Sequence, residues 1–257
     1  MGDSVAAGVR GGVSEPGSDK GYADIIAGML QDAGSLDSFN KEFCVSGLTA
    51  KALAERTAVF NDSASRGYQI IRNADIITLN IGANDLLIPL YSLVNSNSSA
   101  DTEQLKSTLQ RIVFDLPTKG SEIEGYMEVV LQNILNVNKS VKIYVMGYYN
   151  PFPGFSEQYG VDLQTPVGVF NYYIRHALSD IVSKNPGASV NFVDTLSIMA
   201  QNSDNLIMSD IHPTEAGHKV IAYEFWKQIK LHIEKTALRT TSAVNVNGAE
   251  LYFDAYN

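Results

Sequence analysis

Four short stretches of this 257-residue chain hold residue types that can do chemistry together: Gly2-Asp3-Ser4, Ser46-Gly47, Gly82-Ala83-Asn84-Asp85 and Asp210-Ile211-His212-Pro213. A serine hydroxyl becomes a useful nucleophile only when an adjacent base takes its proton. A histidine whose second ring nitrogen is held by a carboxylate is such a base. In the fourth stretch Asp210 stands two residues before His212. In an extended segment residues i and i+2 project to the same side, so Asp210 can reach His212. Pro213 biases His212 toward that extended backbone. Asn84 and Asp85 belong to the residue types that favour helix N-caps, and Asp85 is read here as a cap.

Positioning such groups requires a scaffold, and the hydrophobic pattern supplies one. Tyr22 to Gln31 carries apolar residues at helical spacing through Ile25, Ile26, Met29 and Leu30. Lys51 to Phe60 reads as a second short helix. Ala74 to Ile81 is an apolar run that ends in Gly82, which predicts a buried strand. Asn95 to Thr102 is rich in Ser and Asn and reads as a loop. Two helices are expected near Glu103–Phe114 and Ser121–Val137. Val141 to Gly147 and Ser189 to Asp194 read as strands, with helices at Thr165 to Ser183 and Glu215 to Lys235. Strands separated by helices predict an α/β fold, a three-layer α/β/α sandwich around a mainly parallel sheet. In such sheets the functional crevice lies at the carboxyl ends of the strands, where the Gly82–Asp85 stretch falls. The turn holding Ser4 would join it there if a strand led into it. No such strand stands before Met1, so the sequence is read as a fragment or as starting at an internal methionine. A chain extended upstream by ~10–20 apolar-rich residues, enough for a strand, is expected to be more stable and more active.

The four stretches, in this order, resemble the sequence blocks of the GDSL, or SGNH, hydrolase family. Gly2-Asp3-Ser4 matches the first block with Val5 in place of the usual Leu. Ser46-Gly47-Leu48-Thr49 matches the second, Gly82-Ala83-Asn84-Asp85 the third, and Asp210-Ile211-His212-Pro213-Thr214 the last. The resemblance covers roughly residues 2–235 and implies a flavodoxin-like fold and hydrolysis of carboxylic esters through an acyl-serine. It implies Ser4 as nucleophile, His212 as general base and Asp210 as its orienting acid. The oxyanion donors would be the backbone N–H groups of Ser4 and Gly47 and the side-chain amide of Asn84. One departure stands out: the family places Asp three residues before the His, and that position is Ser209 here. Asp204, or a backbone carbonyl in a Ser–His dyad, is the alternative to Asp210.

The formal net charge of −9 and the lack of a Lys/Arg cluster argue against nucleic acid as a partner. The lone Cys44 lies in an apolar context and reads as a buried small hydrophobe, which rules out an intrachain disulfide. No apolar run is long enough to span a membrane. His176, His218 and His232 read as structural or surface residues, and no His/Cys/carboxylate cluster has metal-ligand spacing, so no cofactor is implied. The substrates expected are small esters of lipid, short acyl or acetylated carbohydrate type. The aromatic Tyr148–Phe155 segment either lines the acyl pocket or packs in the core. The chain divides into a hydrolase domain, 1–238, and a tail, 239–257, with a β-hairpin around Asn247-Gly248. That tail resembles the opening of the copper amine oxidase N-terminal-like repeat. The likeness implies export and cell-surface attachment, and it leaves a non-catalytic binding module as the rival reading.

Overall fold

Three short strands, all parallel, lie side by side in the order β1 (Ile76–Leu79), β2 (Lys142–Met146), β3 (Ser189–Val193). The structure, a computed structural model, describes residues 1–12, 20–87, 102–152, 162–207 and 210–243. Ile76 pairs with Lys142, and Lys142 with Ser189. The central strand β2 reads Lys-Ile-Tyr-Val-Met because both of its faces are covered, and Ile143, Val145 and Met146 are fully buried.

The sheet continues beyond β1 through the start of the chain. Gly2 pairs in parallel with Asn80 on one side and with Cys44 on the other. The ladder is explicit: the Met1 ammonium donates to the Thr78 carbonyl at 2.8 Å, and Asp3 N–H to Asn80 at 3.2 Å. Gly2 N–H donates to Phe43 at 2.9 Å, and Val45 N–H returns to Gly2 at 2.9 Å. A side chain at position 2 is impossible, because its Cβ would stand 1.9 Å from the Asn80 carbonyl oxygen. The order across this end of the sheet is therefore Cys44, Gly2, β1, β2, β3. From Gly2 the chain runs out to one side and then back to the other. That is a topological switch point, and Ser4 sits directly beside it.

Helices cover the sheet in two groups. One holds α2 (Tyr22–Asp32) and α8 (Glu215–Ala243), where Tyr22 stacks on Phe225 with centroids 5.0 Å apart. The other holds α3 (Ala50–Arg56), α5 (Thr102–Val137) and α6 (Gln164–Lys184). The α/β sandwich expected from the pattern is the fold observed. Three short helices lie outside what periodicity shows: α1 (Ser4–Ala7), α4 (Arg66–Arg72) and α7 (Leu196–Met199). They have too few residues to display a period.

Three expectations need correction. The helices expected at 103–114 and 121–137 are one helix, α5, with Pro117 inside it. An interior proline costs about 3 kcal/mol. It is tolerated because Leu109, Leu116, Ile123 and Val130, seven residues apart, keep one buried stripe in phase, while Pro117 faces solvent. Cys44 is half-buried rather than buried, because its segment flanks Gly2 at the outer margin of the sheet. Helix α8 also runs past Lys235 to Ala243, so the boundary drawn at 238 falls inside it. The hairpin and the repeat-like tail at 244–257, most of the loop at 95–102, residues 153–155 and Ser209 lie outside the described residues.

Candidate active site

Ser4 opens α1 immediately after the Gly2 pairing, and Asp3 caps that turn by accepting the Val5 N–H at 3.0 Å. The Ser4 Oγ lies 2.9 Å from His212 Nε2, and His212 Nδ1 lies 2.7 Å from Asp210 Oδ1. The same Asp210 oxygen accepts the His212 backbone N–H at 3.0 Å, and the other accepts Gly12 N–H at 3.2 Å. Burial pushes the Asp210 carboxyl up, but these hydrogen bonds and the imidazole charge outweigh it and hold it below the ordinary carboxylate value. An ionised Asp210 accepts from Nδ1–H, which leaves Nε2 as the acceptor for the Ser4 hydroxyl. This is the tautomer in which an imidazole can take a serine proton.

The loop that carries His212 is held from three sides. The Tyr149 hydroxyl donates to the Ile211 carbonyl at 2.9 Å, Gly11 N–H donates to Pro213 at 2.9 Å, and Leu206 pairs antiparallel with Pro213. The two-residue spacing of Asp210 and His212 works through a bend at Ile211 and His212, closed by the Asp210 carboxylate on the His212 N–H, and not through the extended backbone expected. Asp204 is exposed in a 3-10 turn, and its carbonyl accepts the Thr214 hydroxyl. Asp210, rather than Asp204 or a carbonyl, faces Nδ1.

Asn84 is buried at the start of the helical turn 83–87, and its amide donates to the Leu48 carbonyl at 2.9 Å. Val45 is bonded to Gly2 and Leu48 to Asn84, so Ser46-Gly47 spans the gap between the Ser4 and Asn84 turns. Gly47 has φ +77°, with no atom within 4 Å of an added Cβ. Glycine is needed here for the left-handed backbone, and the space beside it is open. Asp85 caps another element: its carboxylate accepts Ala50 N–H, at the start of α3, at 2.8 Å.

Beneath Ser4 lies a polar network that the motif reading did not include. Asp3 is buried and accepts from Asn80 Nδ2 at 2.6 Å and from the Tyr148 hydroxyl at 3.0 Å. Tyr148 in turn accepts Ala83 N–H at 3.1 Å, and Tyr22 donates to Asn80 at 2.8 Å. One phenol thus ties the Ser4 turn to the Asn84 turn. Burial drives the Asp3 pKa up to about 6, even though Val5, Tyr148 and Asn80 all favour the carboxylate. The available signal for Tyr148 was its place, two residues past the carboxyl end of β2.

His218 is fully buried, with Nδ1 accepting Tyr22 N–H at 3.2 Å and Nε2 donating to the Val9 carbonyl at 2.9 Å. Burial lowers its pKa to about 4, so it is a neutral clamp between α8 and the segment after α1. His176 is exposed on α6. Its Nδ1 lies 2.5 Å from Glu124 on α5 and 3.9 Å from Asp180, a cluster that no sequence spacing reveals. All three are exposed or half-buried, and the contacts are those of surface ion pairs.

A cavity of about 90 Å³ opens beside Ser4. Tyr148, Tyr149, Pro151 and Phe152 all contribute to its wall, so the aromatic segment both packs and lines. Among the described residues, no helix is long and apolar enough to cross a membrane.

The fold matches solved structures along most of its length. A lipase from a goat rumen metagenome superimposes with a TM-score of 0.58 at 17% identity, over 87% of this chain and 92% of the other. An acetyl esterase mutant solved with acetate gives 0.55 at 14%, over 92% and 97%. A carbohydrate esterase of family 3 from Talaromyces cellulolyticus gives 0.53 at 15%, over 91% and 96%. At these identities the likeness establishes the fold. No protein of curated function matches the chain in sequence. Residues 1–220, which contain all four motif stretches, match the profile of one family. The chain belongs to the GDSL-like lipase/acylhydrolase family.

Proposed function

We propose that the protein hydrolyses carboxylic esters through an acyl-enzyme on Ser4. The observation that carries this reading is the unbroken hydrogen-bonded line from Ser4 Oγ through the His212 ring to Asp210, at 2.9 and 2.7 Å. His212 Nε2 takes the hydroxyl proton as Oγ attacks the ester carbonyl, and the carbonyl π electrons move onto its oxygen. The Ser4 and Gly47 N–H groups and the Asn84 amide serve that oxyanion; losing one such donor typically costs about 10²–10³ in kcat. Collapse re-forms the carbonyl and breaks the bond to the alcohol, which leaves with the proton from His212. Water, deprotonated by the same imidazole, then releases the acid and restores Ser4. Lipases, acetyl esterases and carbohydrate esterases among the matched structures agree with this reaction class.

A fluorophosphonate probe tests the assignment. Wild-type protein should be labelled, and Ser4→Ala should abolish both labelling and p-nitrophenyl ester hydrolysis. A folded wild-type protein that neither reacts nor turns over any ester would instead be a binding module on a hydrolase fold.

A further inference from the structure

Among the described residues, the polar groups of the cavity beside Ser4 gather at the end nearest that serine. Asp3, Ser4, Asn84 and the two tyrosine hydroxyls stand at that end, and the Asp3, Tyr148 and Tyr149 groups are already engaged in the hydrogen bonds described above. Among the described residues the rest of the wall is apolar and includes Leu87, Leu109, Ile112, Phe152, Leu163 and Ile211. These residues form a hydrophobic cluster separate from the main core, with Leu109, Phe152 and Leu163 buried. A satellite cluster that surrounds empty space instead of filling it is a built apolar slot. A sugar hydroxyl placed there would lose its water partners without replacement. Neither His212 nor Asp210 lines the slot. The leaving alcohol must meet His212 to collect its proton, so the alcohol lies outside the slot and the acyl chain inside.

We infer that this slot is an acyl-chain site and that the protein prefers esters of medium-chain fatty acids over acetyl esters. The inference rests on Ser4 being the nucleophile. A water-sized group needs ~10–15 Å³ of such volume, so the cavity takes about six to nine of them. A methylene occupies roughly the space of a water, so a chain of about six to eight carbons fills the slot and an acetyl group leaves most of it empty.

Three measurements on the full chain test this. Across p-nitrophenyl acetate, butyrate, hexanoate, octanoate and dodecanoate, kcat/KM should rise about fourfold per methylene, the value of a buried CH₂, and stop rising near octanoate. Of two isomeric esters, ethyl hexanoate should be cleaved at least ~10-fold faster than hexyl acetate, since only the first puts its chain on the acyl side. Val113→Phe, at a half-buried wall position, should cut the hexanoate-to-acetate ratio by at least ~10-fold. If that variant fails to fold, the two wild-type comparisons still decide. A flat or acetate-favouring series, preference for hexyl acetate, or an unchanged ratio in Val113→Phe would overturn the acyl site while hydrolysis remains dependent on Ser4. Hydrolysis that survives Ser4→Ala would overturn the nucleophile instead, whatever the chain-length profile.

Discussion

Two carboxylates flank Ser4, and their surroundings push them in opposite directions. Asp210 sits on a loop, part-exposed, against an imidazole and two backbone N–H groups, and its carboxyl is held down. Asp3 sits one residue before Ser4 in full burial, against a phenol, an amide and one N–H, and is held up at about 6. The number of hydrogen bonds is similar. What differs is burial and the charge of the partner: Asp3 meets neutral groups that only soften the loss of water, whereas Asp210 meets a ring that becomes cationic as it takes a proton. The first carboxylate is suited to holding a turn in place, the second to stabilising a transient imidazolium.

The largest effect expected from breaking this pair is catalytic. Asp210→Asn should lower kcat on a p-nitrophenyl ester by on the order of 10³–10⁴, because an amide that accepts poorly leaves the imidazole in the wrong tautomer. Asp204→Asn, an exposed position, should change little. Equal losses in the two variants would remove Asp210 from its role.

On the other side of Ser4 the change should appear mainly in folding. Asp3→Ala leaves the Asn80 amide and the Tyr148 hydroxyl buried without their acceptor, and urea unfolding should show a loss of about 3 kcal/mol or more. Tyr148→Phe keeps the ring stacked on Phe170 but cuts the link between Asp3 and Ala83 N–H. It should cost about 1–2 kcal/mol, with a fall in kcat of roughly tenfold and a smaller change in KM. A loss in KM alone would make the phenol a binding group and not a strut.

The smallest effect is in the pH dependence of stability. The Asp3 pKa rises from 3.8 to about 6 on folding, so the native state holds more protons in that window and stability falls as pH climbs through it. His218 drops from 6.5 to about 4, so the unfolded state holds more protons and stability falls as pH descends through 6.5 toward 4. The two slopes oppose each other. Asp210, held down, adds stability above the ordinary carboxylate value that drains only as pH falls below it. Wild-type unfolding free energy should therefore vary little between about pH 4 and 6. Asp3→Asn should become more stable with rising pH there, and His218→Gln less stable. Parallel profiles in all three proteins would break the contrast drawn between these buried groups.

The sequence alone determined the alternation of helices and strands, because apolar residues at period 3.6 or in short runs reflect local burial. It also singled out Ser4, Asn84, Asp210 and His212 as candidates, since their residue types are written in a few adjacent letters, and the fold brings the four together. The pairing of Asp210 with His212 was legible too, but a bend at Ile211 and His212, and not extended geometry, makes it. Tertiary structure alone decided what depends on distant contacts. Pro117 lies inside a continuous helix because α5 keeps its buried stripe across it. Tyr148 braces Asp3 over a separation of 145 residues. His218 is a buried clamp while His212, six residues away, faces a serine and a carboxylate. Those outcomes turn on which groups exclude water from which others, and that is fixed by packing across the sheet and not by neighbours along the chain.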